Sequence, residues 1–326
     1  MPSSRILSVT PPRATPGGRV SILGSDFPIR DGVPIVHVGN EPARVVFASS
    51  SELALIVPDA ATGAERISAE GSDGSAVLQV GTSVATGLHQ VDSPAVDPFG
   101  TIYLTYSGTR GQEVPVSIFR VPRGGARESF SSGVTNPTGM AVGPDGRLYV
   151  SSRFEGSVYR LSEDGSAEVY ASDLGIACGL AFRADGTLFV GDRSGTLFAV
   201  SPDGQARTFA TLPSSVAAFH LAFGPDGLYV TAPTLSARDV VYRIDDEGGT
   251  SVVYAGFGRP QGLAFSPDGE LHVVEALAGV SGVYRVREGE APELIVAGPR
   301  LVGLAFDEDD LIVCSSDTAY RIPRRA

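Results

Sequence analysis

The sequence predicts an all-β chain, with a small β-sandwich over residues 1–82 followed by a six-bladed β-propeller over residues 83–326. The first ground is a stretch that recurs six times: SPAVDPFGTIYL from Ser93, PTGMAVGPDGRLYV from Pro137, CGLAFRADGTLFV from Cys178, FHLAFGPDGLYV from Phe219, QGLAFSPDGELHV from Gln261 and VGLAFDEDDLIV from Val302. Each copy is an apolar run, a tight turn of the Asp-Gly type and a second apolar run, which is the pattern of a β-hairpin. The second ground is a companion motif after each hairpin: IFRV at 118–121, VYRL at 158–161, LFAV at 197–200, VYRI at 241–244, VYRV at 283–286 and AYRI at 319–322. The third is that no stretch repeats apolar residues at i, i+3 and i+4, as a helical solenoid would. A period of about 40 residues with several strands per unit is that of a propeller.

Each blade is expected to hold four antiparallel strands. The hairpin supplies two, the companion motif the third, and segments such as AEVYAS at 167–172 or TSVVYAG at 250–256 the outermost. Inner strands of stacked blades are covered on both faces, so they read as near-continuous apolar runs such as GLAF and LYV. The last unit stops at Ile322 with only PRRA remaining, while GTSVATGLHQ at 81–90 has strand character but precedes the first full hairpin. These defects are complementary, so strand 83–90 is expected to complete the last blade and close the ring, removing an exposed sheet edge. His89 would then lie on the outside of the ring.

Residues 1–82 lack the repeat and read as seven short strands at 5–9, 19–24, 34–38, 43–48, 52–57, 64–70 and 75–80, separated by turn residues. Gly39-Asn40 fits a two-residue primed turn with positive φ at both centres. The run ILSVTPPRATPGGRVSILGSDF, followed by VHVGNEPARVVFASSSELALIVPDA, supplies Pro11, Gly17, Gly18, Gly24, Phe27, Gly39, Asn40, Val57 and Pro58. This pattern resembles the TIG/IPT domains, immunoglobulin-like modules that serve as spacers or interaction platforms. The resemblance implies a protein partner as one use of the module. His37 stands alone there and is expected to be structural.

Composition excludes several functions. The net charge is −12, which argues against sequence-independent binding to nucleic acid or anionic membrane. Every basic residue is Arg, so Schiff-base lysine chemistry and a Walker-type phosphate lysine are absent. The lack of Lys and Trp points to a GC-rich genome, and a bacterial one is expected. Cys178 and Cys314 fall in the third and sixth units, too far apart in the ring for a disulfide. No run of 18 apolar residues suggests membrane insertion, and MPSSRILSVTPPRATPGG has no signal-peptide core. A cytoplasmic location is the default expectation, with secretion if a leader has been removed.

The P-x-G-(L/M)-A-(V/F)-x-P-D-G-x-L-Y-V units resemble NHL-repeat propellers and the related gluconolactonase and senescence-marker-protein family. That family holds a divalent cation at the starts of its innermost strands, a level occupied here by Asp92, Thr138, Cys178, Phe219, Gln261 and Val302. DSPAVD resembles the family's opening motif, with Asp92 in the place of its Glu ligand. The resemblance places the family's Asn and Asp ligands at Cys178 and Phe219, which offer no hard oxygen. Calcium takes six to eight oxygens, so no cofactor is expected, and Asp92 is the ligand if calcium binds at all.

Loops on the same side of the ring carry Tyr106, Arg110, Arg153, Glu155, Asp192, Arg193, Arg238, Asp239, Glu275 and Asp317. Ligand-binding candidates on that face are Asp92, Thr138, Gln261, Arg153, Asp192, Arg193 and Arg238, with the arginines suited to a carboxylate or phosphate. His220 replaces a residue that is Gly139, Gly179, Gly262 and Gly303 in other units, so its imidazole needs the room of the channel. His220 and Glu275 are the catalytic candidates, while His272 stands where other units have Tyr or Phe and fills the core. No G-x-S-x-G and no metal-spaced His/Cys cluster is present. The expected function is therefore a non-catalytic propeller that binds a small molecule or peptide at its loop face. A lactonase- or esterase-type hydrolase is the alternative.

Overall fold

The computed structural model describes residues 4–30, 32–308 and 310–324, and every regular element in them is a β-strand. Five four-stranded antiparallel sheets stand alone, while a sixth set of four, Pro260–Phe265, Leu271–Glu275, Gly282–Val286 and Glu293–Ala297, is the end of a twelve-stranded sheet. The expectation of six separate blades is corrected to that extent, because this set continues into the N-terminal module through the short strand Arg13–Ala14. The first strands of the six sets touch in a closed cycle.

The second set shows how the repeat folds. Pro137–Val142 pairs with Leu148–Ser152, then Ser157–Leu161, then Ala167–Ala171. Gly143 N donates to Arg147 O at 2.8 Å, and Gly146 between them sits at φ 76°, where a Cβ would be strained. The Asp of the turn is occupied by the repeat itself: Asp145 Oδ2 accepts from Tyr149 Oη at 3.1 Å, as Asp97 does from Tyr103 and Asp226 from Tyr229. The Arg of the YR motif adds ion pairs on this hairpin-turn side, such as Arg243 with Asp226 at 2.7 Å. The Asp, Tyr and Arg of the repeat thus pin the turn side of a unit together.

Glycine at the start of the inner strands answers to close approach between units. A Cβ on Gly179 would lie 2.5 Å from Phe219 O, and one on Gly139 would run into Cys178 O and Gly179. Gly262 meets Gly303 in the same way, and Gly303 meets Ser93 of the first set. The cycle therefore closes through backbone contact that a side chain at these four positions would open.

The last set consists of Leu301–Phe306, Asp310–Ser315 and Thr318–Pro323, with Thr82–Thr86 as its outermost strand. The pairing is shorter than the anticipated 83–90. After Thr86 the chain turns inward over the loop side, where Leu88 N donates to Asp317 O at 3.1 Å and Gln90 N to Ser316 O at 2.8 Å. His89 accordingly lies not outside the ring but on the loop side, its ring edge-on to Tyr106.

In the N-terminal module Arg5–Thr10, Arg19–Ser25, Glu52–Ile56 and Glu41–Ala48 form one layer, and Val36–Val38, Gly63–Ala69 and Ala76–Val80 the other. Ile22, Leu53, Leu55, Ile67 and Leu78 are fully buried between them, and Ala297 of the propeller joins this core. Gly39 has φ 60°, whereas Asn40 is not left-handed, so the primed turn has one positive-φ centre rather than the expected two. Strand Arg13–Ala14 is the element the sequence hides, because two residues between prolines carry no alternation. It lies parallel to both Ala76–Val80 and Glu293–Ala297, and Thr15 N donates to Ala297 O at 2.8 Å. Arg13 Nε donates to Pro323 O at 3.1 Å, tying the module to the last strand of the chain.

Candidate functional site at the loop face

Asp92, Thr138, Cys178, Phe219 and Gln261 are all buried. His220 enters this level from the fourth set and reaches Asp92 at the first, diametrically opposite on the cycle. Its Nδ1 lies 2.6 Å from Asp92 Oδ1, and Ser93 N donates to the same oxygen at 2.6 Å. A carboxylate accepts, so Nδ1 is the donor in this contact and Nε2 is the ring nitrogen left over. That Nε2 is buried without a hydrogen-bond partner, as is Gln261 Nε2. His220 has no exposed surface, so the strut closes the channel at this depth.

The remaining ring positions are poor donors for a hard cation. Cys178 Sγ donates to Ile176 O at 3.2 Å, and burial pushes its thiol up to about 12, so it remains a thiol. Thr138 Oγ1 donates to Asn136 O at 3.2 Å, and Phe219 offers nothing. Among the described residues no group of three or more His, Cys, Asp or Glu is placed to hold a metal ion. The calcium-type site that the resemblance implied does not fit these side chains.

The loop-side carboxylates are spent within the fold. Glu275 is buried, with Oε2 accepting from Gly258 N at 2.6 Å and Oε1 from Arg259 N at 2.9 Å and Leu277 N at 2.7 Å. Asp192 does the same two units earlier, accepting from Ile176 N at 2.8 Å and from Ser194. The two hold equivalent places, since Pro260 pairs with Glu275 and Ala177 with Asp192. Each clamps the end of a second strand to the loop leading into the first. Asp239 accepts from Thr234 N and Oγ1, Asp317 from Ser315 Oγ at 2.8 Å and Glu155 from Tyr159 Oη at 2.8 Å. Aligning the copies at their second-strand ends would have revealed the clamp.

The arginines of this side behave oppositely. Arg153 Nη2 donates to Gly108 O at 3.1 Å, Arg193 Nη2 to Val216 O at 2.9 Å and Arg238 Nη1 to Gly256 O at 2.8 Å. Among the described residues none of these, nor Arg110, Arg259 or Arg300, pairs with a carboxylate, although ten other propeller arginines do. Burial, together with the neighbouring Arg193, holds the Arg153 guanidinium below its ordinary range, and burial and Arg153 lower the His89 imidazole. Between the arginines, Phe154, Ile176, Val216, Leu235, Leu277 and Val280 are exposed, Leu235 to 91%. Elsewhere on the propeller only Phe99, Val169 and Val252 are large, apolar and exposed among the described residues.

Residues 4–87 match the model of the IPT/TIG domain family. No curated protein matches the chain. Among solved structures, an auxiliary nutrient binding protein from Bacteroides ovatus is similar over 98% of this chain and 97% of its own, with TM-score 0.56 and 14% identity. A gluconolactonase from Xanthomonas campestris is similar over 90% and 99%, with TM-score 0.61 and 16% identity. A catalytically inactive virginiamycin B lyase from Staphylococcus aureus with quinupristin is similar over 98% and 95%, with TM-score 0.52 and 13% identity. At such identities the likeness is one of fold. The chain thus carries an N-terminal segment similar to IPT/TIG domains, followed by a propeller-like arrangement of sheets.

Proposed function

We propose that the chain is a non-catalytic binding protein whose propeller takes a small molecule or peptide on its loop face, with the immunoglobulin-like module as an accessory contact surface. The observation that carries this reading is the gathering of six exposed apolar side chains on one side of the ring, since such side chains clustered on a polar-rimmed face mark interaction surfaces. The propeller's likeness to auxiliary nutrient binding proteins over nearly the full length of both chains supports it. We propose equally that no divalent cation or other cofactor takes part. Asp92 already accepts two hydrogen bonds on one oxygen, and the other five ring positions offer one hydroxyl and one amide beside a thiol, a phenyl group and an alkyl group. No membrane or nucleic-acid partner belongs to this reading. No helix among the described residues is long and apolar enough to cross a membrane.

A second reading, a lactonase- or esterase-type hydrolase, is favoured by one observation. Asp92 fixes the imidazole of His220 with Nε2 unpartnered, as a carboxylate does for a general base. Against it, that nitrogen is sealed from solvent and Glu275 is taken up by three backbone N–H groups.

Amide hydrogen exchange tests the first reading. Compounds and peptides selected for binding to the intact chain should protect segments 106–116, 152–156, 192–195, 232–238 and 276–281 and leave the hairpin turns unchanged. Protection confined to the turn side, or to the N-terminal module, would refute it.

A further inference from the structure

The division of charge between the two sides of the ring goes beyond a general binding face, and we infer that the loop face recognises an acidic peptide segment carrying apolar side chains. The inference rests on the loop-face reading proposed above and adds the chemistry of the occupant. On the turn side and outer strands most arginines are neutralised by carboxylates, as in Arg123 with Asp307 and Arg321 with Asp310, while Arg127 and Arg207 lie over the rings of Phe119 and Phe209. On the loop side Glu275, Asp192 and Asp239 are drawn onto backbone N–H groups while Glu113, Glu155, Asp173 and Asp317 stay exposed, and Arg153, Arg193 and Arg238 touch only carbonyl oxygens. A carbonyl orients a guanidinium without cancelling its charge, and each guanidinium has five N–H donors of which these contacts use one or two. The result is a set of three guanidiniums oriented by carbonyls and not paired with a carboxylate, on a chain whose net charge is −12.

That contrast narrows the ligand. Within about a Debye length, roughly 10 Å, the acidic chain as a whole repels a polyanion such as RNA, and only charges brought into contact with the arginines gain enough to offset that repulsion. A ligand with a few carboxylates among apolar groups meets both demands. Burial first, and then the neighbouring Arg193, disfavour the charge on Arg153, and a carboxylate placed beside the two guanidiniums relieves this. Phe154 adjoins Arg153 in sequence, Val216 accepts from Arg193 and Leu235 lies three residues from Arg238, so apolar and cationic groups alternate around the rim. The His220–Asp92 strut removes depth from the centre, which favours a ligand that lies across the face over one that descends into it. Sugar rings and bases are poorly served here. The chain has no Trp, and Phe154 and the half-buried Tyr106 are the aromatic side chains presented on this side among the described residues.

The test is selection of a random dodecapeptide library on the intact chain, followed by anisotropy titration of labelled winners. The expected winners carry several Asp or Glu among Leu, Ile, Val or Phe. Their affinity should fall at least tenfold in Arg153→Ser/Arg193→Ser and several-fold in Arg110→Ser or Arg259→Ser, whose side chains make no recorded hydrogen bond and whose loss therefore spares the fold. It should also weaken on raising salt from about 0.1 M to 0.5 M, and Arg120→Ser on the turn side should leave it unchanged. Neutral or basic winners whose footprint is on the loop face would overturn the inference and leave the loop-face reading standing. Winners that protect another surface, or no enrichment at all, would overturn both. Acidic winners indifferent to all four arginines would sink the inference alone. So would a labelled RNA dodecamer that binds more tightly than any peptide with the same arginine dependence, or a dimer of the chain that those substitutions dissolve.

Discussion

The His220 imidazole spans the centre of the ring to the Asp92 carboxylate, Nδ1 to Oδ1 at 2.6 Å, and both side chains are buried. A hydrogen bond between opposite members of the cycle ties units that are far apart in sequence. Removing one partner strands the other in the interior. His220→Ala should therefore cost about 2–4 kcal/mol of stability, and Asp92→Ala a similar amount. In a double-mutant cycle by urea unfolding, the pair should show a coupling of about 1 kcal/mol or more. Additive effects of the two substitutions would mean that the contact contributes nothing of its own.

Glu275 offers a separate check on the clamp. Glu275→Ala leaves the amides of Gly258, Arg259 and Leu277 without their acceptor, at a cost of about 2–3 kcal/mol. Those three amides should exchange faster while the hairpin-turn amides keep their protection. Unchanged exchange at all three would show that water replaces the carboxylate without loss.

His272 gives the acid response. Burial lowers its pKa from 6.5 to about 4, with Glu270 opposing and Arg285 and Arg324 adding to the depression. Between these values the unfolded chain binds the proton and the folded chain does not, so the contribution is full above about 6.5 and is lost as pH falls toward 4. The loss is on the order of 2–3 kcal/mol. His272→Phe, the residue type of the third unit at Phe189, should flatten the stability profile between pH 6.5 and 4. Chemical denaturation at half-unit intervals measures it, and parallel profiles for the two proteins would exclude His272 as the source.

Ring closure is open to a single substitution. Ala85 pairs with Ala319 in the outermost strand of the last set. Ala85→Pro removes a donor and imposes its own φ there, and should destabilise by about 3 kcal/mol. A melting curve that overlays the parent's would show that Thr82–Thr86 does not hold the ring shut.

Much of this was legible in the residues, for physical reasons that also mark where legibility ends. The PDG turns and LYV runs announce hairpins because the turn needs a left-handed Gly and the strand a two-sided core. Gly139, Gly179, Gly262 and Gly303 made His220 conspicuous, since a ring of close backbone contacts tolerates one large side chain only where it crosses the channel. Its partner was not readable, because Asp92 lies 128 residues away and meets it only through closure. Glu275 resembled a catalytic carboxylate until its three backbone donors were in view. Arg13–Ala14 left no alternation to detect, and so the continuity between the modules was missed. Whether a loop arginine meets a carboxylate depends on side-chain direction, which spacing does not encode; Arg153 and Arg160 look alike in sequence, yet only Arg160 finds Glu168.

The propeller is proposed to bind its ligand without turning it over. The direct measurement is hydrolysis of a panel of aldonolactones, acyl lactones and aryl esters by the unmodified chain, with and without millimolar calcium. Rates should equal the buffer blank throughout. Turnover that His220→Ala or Asp92→Asn abolishes, in protein shown to remain folded, would contradict it and make the buried pair a catalytic centre.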